Sequence, residues 1–362
     1  MKHTPIAAAV ALALAGCAAP KPAVDTSPEN PTAVFETKVS SSGIAGNFPF
    51  ETTEKRFVRS DMQRQEHATK GTGTFSGFLV TKMAGGPGDT QIARLDRKLM
   101  WTVSDKRKEY VECPIAGCPM PEKAQKPEAQ PEQPKQKTEE GCTMRVTSSQ
   151  FNVKPSGQKK EVNGFNADQY QGAWVVRFQD AKKRTTTSTV NLDIWTTGLN
   201  EDMKKALDTE AAFGRTYLAS VPRPQIPVPS GKAGEHPAVP PEVFAMMSQY
   251  LGNLSAADRA SMQRALNELQ KIKGHPVSTK LDWFLDGNAC QSDEQQREQQ
   301  SSQPKSATDA LMSSAMGLFS KKEEKPAGPP PLLSFTVEVK QMGVVPVRDS
   351  TFNVPPTYKK VN

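Results

Sequence analysis

Short runs in which apolar and polar residues alternate are what most constrain the fold of this 362-residue chain. A period of two puts one set of side chains on a buried face and the other set in water, which is the pattern of a half-buried strand. The run Thr187 to Trp195 is the clearest, with Val190, Leu192 and Ile194 on one face. Similar runs are Val34 to Val39, Arg56 to Arg64, Phe75 to Thr81, Ile92 to Leu95, Leu99 to Val103 and Lys108 to Cys113. More follow at Cys142 to Val146, Gly164 to Tyr170, Ala173 to Phe178, His275 to Phe284 and Leu332 to Gln341. Turn residues separate them, as in Gly85-Gly86-Pro87-Gly88-Asp89 and the charged corner Asp96-Arg97-Lys98. Strands this short with such turns predict an antiparallel sheet.

Helical spacing enters after Asn200. Asn200-Glu201-Asp202 supplies a cap and two acids, and Met203, Leu207, Ala211 and Tyr217 fall roughly on one face. A Pro-rich linker, Pro222 to Pro240, leads to a helical insertion over residues 241–273. Pro241-Glu242 opens its first helix, and Ser255-Ala256-Ala257-Asp258 caps the second, which carries Met262, Leu266, Leu269 and Ile272. Met246 and Met262 are candidates to line a pliable apolar groove, with plain core packing the simpler reading. Residues 119–140 and 291–330 are Pro-, Gln-, Glu-, Lys- and Ser-rich, and the first has almost no aliphatic residue. Such stretches bury too little to offset the entropy of ordering, so both read as disordered insertions.

The N-terminus places the chain in a cell. Lys2 is followed by an apolar run, Ile6 to Leu14, too short to span a bilayer, and then by Ala15-Gly16-Cys17. Leu14-Ala15-Gly16-Cys17 resembles the bacterial lipobox. The resemblance implies cleavage after residue 16 and acylation of Cys17. Several acyl chains there hold a soluble domain at a membrane far better than one. Ala18 and Ala19 follow, without the Asp that favours inner-membrane retention in that family, so the implied address is the periplasmic face of the outer membrane. The expected division is a signal peptide over 1–16, a lipidated Pro-rich tether over 17–33 and one domain over 34–361. Losing the signal removes only Lys2 from a net charge of +7, and the basic clusters are scattered. An exported protein of this charge is not expected to meet nucleic acid.

Cys113, Cys118, Cys142 and Cys290 remain, and an even number in an oxidising compartment reads as two disulfides. The loop from Cys113 to Cys118 can close on itself and leave Cys142 with Cys290, but all three pairings are open at this level. A four-thiolate metal site lacks the paired Cys-x-x-Cys spacing, and no cofactor motif is found. His67, His236 and His275 lie outside any hydrolase or metalloprotease motif, so no catalytic residue is assigned and an enzyme is not expected. Trp101, Trp174 and Trp195 are candidates for a ligand cavity, with core packing the alternative.

Three segments together resemble a broad group of exported proteins similar to the outer-membrane lipoprotein carriers of the LolA and LolB type. They are Ile92 to Trp101 leading to Lys108-Glu109-Tyr110, then Lys160 to Ala167, and the tail Phe352-Asn353-Val354-Pro355-Pro356-Thr357-Tyr358. The resemblance covers residues 34–218 and 274–361 and implies an α+β fold: a curved antiparallel sheet, or half-barrel, covered by helices over an apolar cavity. The function so implied is binding of an acyl lipid, another hydrophobic ligand or an envelope protein. The alternative is a structural or assembly accessory of an envelope complex.

Overall fold

The computed structural model describes residues 25–43, 49–72, 89–116, 144–221, 267–269, 271–290 and 330–361. Cys17 and its tether up to residue 24, Cys118, Cys142, Met246, Met262, nearly all of the 241–273 insertion and both polar insertions lie outside these residues.

The described chain forms a single twelve-stranded sheet in the order β12-β6-β5-β4-β3-β2-β1-β11-β10-β9-β8-β7. In chain order the strands are β1 Glu29–Ser41, β2 Phe50–Val58, β3 Met62–Gly71, β4 Asp89–Arg94, β5 Leu99–Ser104 and β6 Glu109–Pro114. They continue with β7 Met144–Val162, β8 Phe165–Asp180, β9 Thr185–Thr197, β10 His275–Gly287, β11 Leu333–Arg348 and β12 Lys359–Lys360. All pairs are antiparallel except β12 with β6.

This architecture corrects the expected α+β half-barrel covered by helices. The sheet is open, 63% of the described residues are strand and 15% helix, and only one helix is long. The reason lies in strands whose sequence does not alternate visibly. β7 is 19 residues long but polar, with exposed Arg145, Lys154, Lys159 and Lys160. A strand at the rim of a sheet has one neighbour and little to bury, so it carries no strong apolar period. The run Arg56 to Arg64, read as one strand, is the turn of a hairpin between β2 and β3.

The apolar side chains of β8 to β11 share one face of the sheet. Trp174, Val176 and Phe178 of β8 meet Val190, Leu192 and Ile194 of β9, then Leu281 and Trp283 of β10 and Leu333 of β11. A helix covers a second part of this face. The long helix, α1 (Glu201–Ser220), starts at Asn200, whose side chain accepts the amide hydrogen of Met203 at 2.9 Å. Its buried Met203, Ala206, Leu207 and Phe213 pack on Ala33, Phe35, Val58 and Met342. The tip of the β7–β8 hairpin folds over the other face, the one that carries Gln171 and Asp193, since Gln169 and Trp195 are paired one step of that face further along β8 and β9. Asn163 and Gly164 both adopt positive φ (50° and 86°), as a tight two-residue hairpin turn requires. The tip lays Val162 and Ala167 against Trp195 and Val277, with Phe165 and Val339 packed on them. β10 pairs with β11 only as far as Glu338. Just beyond, Asn163 Nδ2 donates to the Val339 carbonyl at 2.9 Å, which satisfies a carbonyl that β10 no longer reaches.

The C-terminus closes the opposite rim. After β11 a 3₁₀ turn, Asp349–Phe352, carries the chain across β3 and β4, and Phe352 is fully buried. Three arginines grip this strap. Arg59 bonds Asp349 Oδ1 (2.6 Å) and the Val347 carbonyl (2.8 Å), and its guanidinium lies 4.6 Å from the centre of the Phe352 ring. Arg64 donates to the Thr351 carbonyl and Arg94 to Asn353 Oδ1. Farther on, Val354 and Tyr358 pack on Ile92, Trp101 and Val103, and Tyr358 donates to Asp105. The Lys359 and Val361 amides then bond to the Lys108 and Tyr110 carbonyls on the rim of β6.

A Phe352→Ala substitution is expected to lower the unfolding free energy by about 3–5 kcal/mol, the cost of emptying a buried aromatic site. Urea unfolding monitored by tryptophan fluorescence measures it. A loss below about 0.5 kcal/mol, typical of surface changes, would mean that the strap is not part of the cooperative core.

Candidate binding face

Away from the hairpin tip and the C-terminal strap, the second face of the sheet is polar. Over β7 to β10 it carries two cross-strand rows of side chains. In the first, Asn152 opposes Ala173, Ala173 opposes Asn191, and Asn191 opposes Asp282. In the second, Lys154 opposes Gln171, Gln171 opposes Asp193, and Asp193 opposes Lys280. Residues at such positions are the nearest neighbours on one sheet face. The small Ala173 stands among longer side chains, and around it opens a depression of about 500 Å³ floored also by Gly172 and Leu192.

The carboxylates are held in place. Asp282 accepts from Ser334 Oγ at 2.7 Å and pairs with Lys280 at 2.8 Å. Asp193 accepts from Gln169 Nε2 at 2.7 Å, and Gln169 accepts from Ser156 Oγ at 2.6 Å. Asn152, Lys154, Gln171, Asn191 and Lys280 are exposed. The face therefore offers amide donors and acceptors with both signs of charge, a surface suited to an extended polar chain and unsuited to an acyl tail. No cluster of three or more His, Cys, Asp or Glu able to hold a metal occurs among the described residues. His67 lies 3.8 Å from Glu54 on β2 and β3, and His275 is buried at the start of β10, both away from the depression.

The tryptophans proposed for a cavity are not brought together. Trp101 is buried under the C-terminal strap and donates to Glu112 at 2.8 Å. Trp174 belongs to the β8–β10 core and donates to Ser149. Trp195 sits under the hairpin tip, with the Lys160 ammonium 3.9 Å from its ring centre. Each fills a different cluster. Sequence reading passed over the polar face because its residues look like the ordinary solvated half of each strand. The usable signal was Ala173, a small residue on the polar side between amides and charges.

Of the cysteines, Cys113 and Cys290 are buried and each is disulfide-bonded. They lie on or beside strands β6 and β10, seven places apart in the open sheet. Cys290 closes a corner with Asp180, the last residue of β8. The Asp180 carboxylate accepts from the Cys290 amide (3.0 Å), the Arg184 amide (2.8 Å) and Arg184 Nε (2.6 Å). Burial alone pushes this carboxyl up, but the three donors and the guanidinium charge outweigh it and hold the group down at about 2.

Comparison with protein families, curated proteins and solved structures finds no match to this chain.

The depressed Asp180 value sets a pH dependence. Its contribution to stability is complete above the ordinary carboxyl value of 3.8 and is lost as pH falls from about 4 through about 2. Asp180→Asn is expected to be less stable than the parent at neutral pH, with the gap narrowing in that acid window. Urea midpoints at a series of pH values check this, and a constant gap would exclude the corner as its source.

Proposed function

We propose that this chain is a lipoprotein of the cell envelope, held through Cys17 at the periplasmic face of the outer membrane. There it binds an envelope protein on the polar face of β7 to β10 and acts as an assembly accessory, not an enzyme. One observation carries the choice between ligands. The described aromatic side chains named as cavity candidates are packed into separate cores, whereas the open depression around Ala173 is lined by amides, lysines and carboxylates. An acyl chain placed there would strand those groups without hydrogen bonds.

The position of the tether agrees with this reading. Asp25 is the first described residue, and Asp25 to Pro28 bond to Arg348, Asp349 and Ser350 at the end of the sheet where β1 begins. From Cys17 to Asp25 the chain can reach at most about 28 Å. The depression lies toward the other end of the strands, since Lys280 is level with Thr336 and Ser40. The distance along β1 from Glu29 to Ser40 is roughly 37 Å at ~3.4 Å per residue. A partner bound there would stand on the periplasmic side of the domain, away from the lipid. Disulfides at Cys113 and Cys290 suit that oxidising space.

Two measurements test the proposal in a Gram-negative host. Labelling with a palmitate analogue should mark the full chain and not Cys17→Ser. A photo-activated cross-linker at Asn191 should give a discrete adduct with an envelope protein, and adding Ala173→Arg, which fills the depression, should reduce that adduct about tenfold or more, the effect of losing ~1.4 kcal/mol of binding. An adduct indifferent to Ala173→Arg, or an acyl lipid co-purifying with the parent domain, would overturn the binding face.

A further inference from the structure

The two rims of the sheet are treated differently. At β6 the chain adds its own tail as β12, so the rim there is capped. At β7 no described segment forms a further strand. β7 is nevertheless not uniform. Its pairing with β8 is irregular at Val146/Ser148 and again at Pro155/Lys159, and between these bulges the ladder runs in unbroken register. Bulges, Pro155 and Lys159 blunt the rim on one side of this window. Inside it, Gln150-Phe151-Asn152-Val153-Lys154 presents a straight strand whose outer backbone groups alternate with those bonded to β8.

Resting on the reading of the polar face as a binding surface, we propose that this edge takes a strand of a partner polypeptide bearing acidic side chains. The added strand would continue the sheet beside β7 over Gln150 to Lys154. Backbone hydrogen bonds supply the affinity in such strand addition, and side chains at alternate positions supply the choice of partner. Both faces of the new strand meet suitable surroundings. Asn152 and Lys154 line the depression, so every second residue of the partner would lie beside its charged rim. Phe151 and Val153 are half-buried on the other face, where Phe151 packs against the Trp174 cluster. Charge decides the class of partner. β7 holds Arg145, Lys154, Lys159 and Lys160 against Glu161 alone. Lys159 is already paired with Asp168 at 2.6 Å, whereas Lys154, inside the window, is exposed and makes no ion pair among the described residues. A second copy of this same strand would set these cations against one another, whereas a strand with Glu or Asp at alternate positions would neutralise them.

The test uses the full mature chain with Cys17→Ser and two synthetic heptapeptides, one alternating Glu with Val and the other alternating Lys with Val. Hydrogen–deuterium exchange of the peptic fragments covering Gln150 to Lys154 is followed with each. The expected result is exchange slowed about tenfold by the Glu peptide at saturation, no slowing by the Lys peptide, and loss of the effect in Lys154→Glu. That variant also gives a positive control, since it should shift preference toward the Lys peptide. Protection of Lys280 and Asp282 without protection at Gln150 to Lys154 would overturn strand addition while leaving the polar face as a binding surface. Protection that rises with the concentration of the protein alone would assign the edge to a second copy and overturn the acidic partner. Equal or absent protection by both peptides overturns it as well.

Discussion

Pairing between β1 and β11 is the interaction on which the remainder of the sheet depends. The two strands come from opposite ends of the chain, yet they lie side by side in the interior of the sheet and are matched from Glu29 with Arg348 to Ser41 with Phe335. On one side of this pair the strands β2 to β6 follow in simple meander order, and on the other β10 to β7 return in reverse order. The two wings also share apolar contacts: Ala33 and Phe35 of β1 and Val58 of β2 form one cluster with Met342 of β11 and with α1. A ladder between residues 294 to 319 apart closes a very long loop, and this pairing together with the shared cluster must offset the entropy of that closure.

The arginine clamp follows from this arrangement. Once β11 ends at Arg348 beside the start of β1, the remaining chain must cross β3 and β4 to reach the rim at β6. Arg59, Arg64 and Arg94 stand along that path and bond the strap's carbonyls and polar side chains, groups that would otherwise lie over the sheet unsatisfied. Asp96 engages Arg94 through both carboxylate oxygens, at 2.8 and 2.6 Å, and so fixes the guanidinium plane. The motif Phe352-x-Val354-Pro-x-x-Tyr358, which in the sequence looked like a family ending, is here a set of three anchors that seat the strap.

What was legible in the sequence divides along physical lines. β9 and α1 were, because a strand buried on one face and a capped amphipathic helix both write their periods into residues such as Val190, Leu192, Ile194, Asn200 and Met203. β7 was not, because Ser148, Gln150, Asn152 and Lys154 belong to a rim whose partner strand lies on one side only. The cover over Trp195 and Val277 was not legible for a related reason. Val162, Phe165 and Ala167 sit on a hairpin tip that leaves the sheet, and nothing in a strand-like pattern states that it folds over. The Trp residues were legible as buried but not as belonging to separate clusters, since that depends on a strand order no local pattern contains. The depression around Ala173 was hidden because it needs four strands in register before its members become neighbours.

The β7–β8 hairpin thus serves two ends, and one buried polar side chain joins them. Where the tip bends away, between Pro155 and Lys159, Gln169 is buried and bonded both to Ser156 in the bulge and to Asp193 in the depression. An uncompensated amide at that depth would be costly, so the bend and the orientation of Asp193 are maintained together. The tip covering Trp195 and Val277 and the charged row facing solvent are therefore consequences of the same elbow. A change that straightens it would uncover Trp195 and, in the same movement, release the carboxylate that helps shape the polar rows beside it.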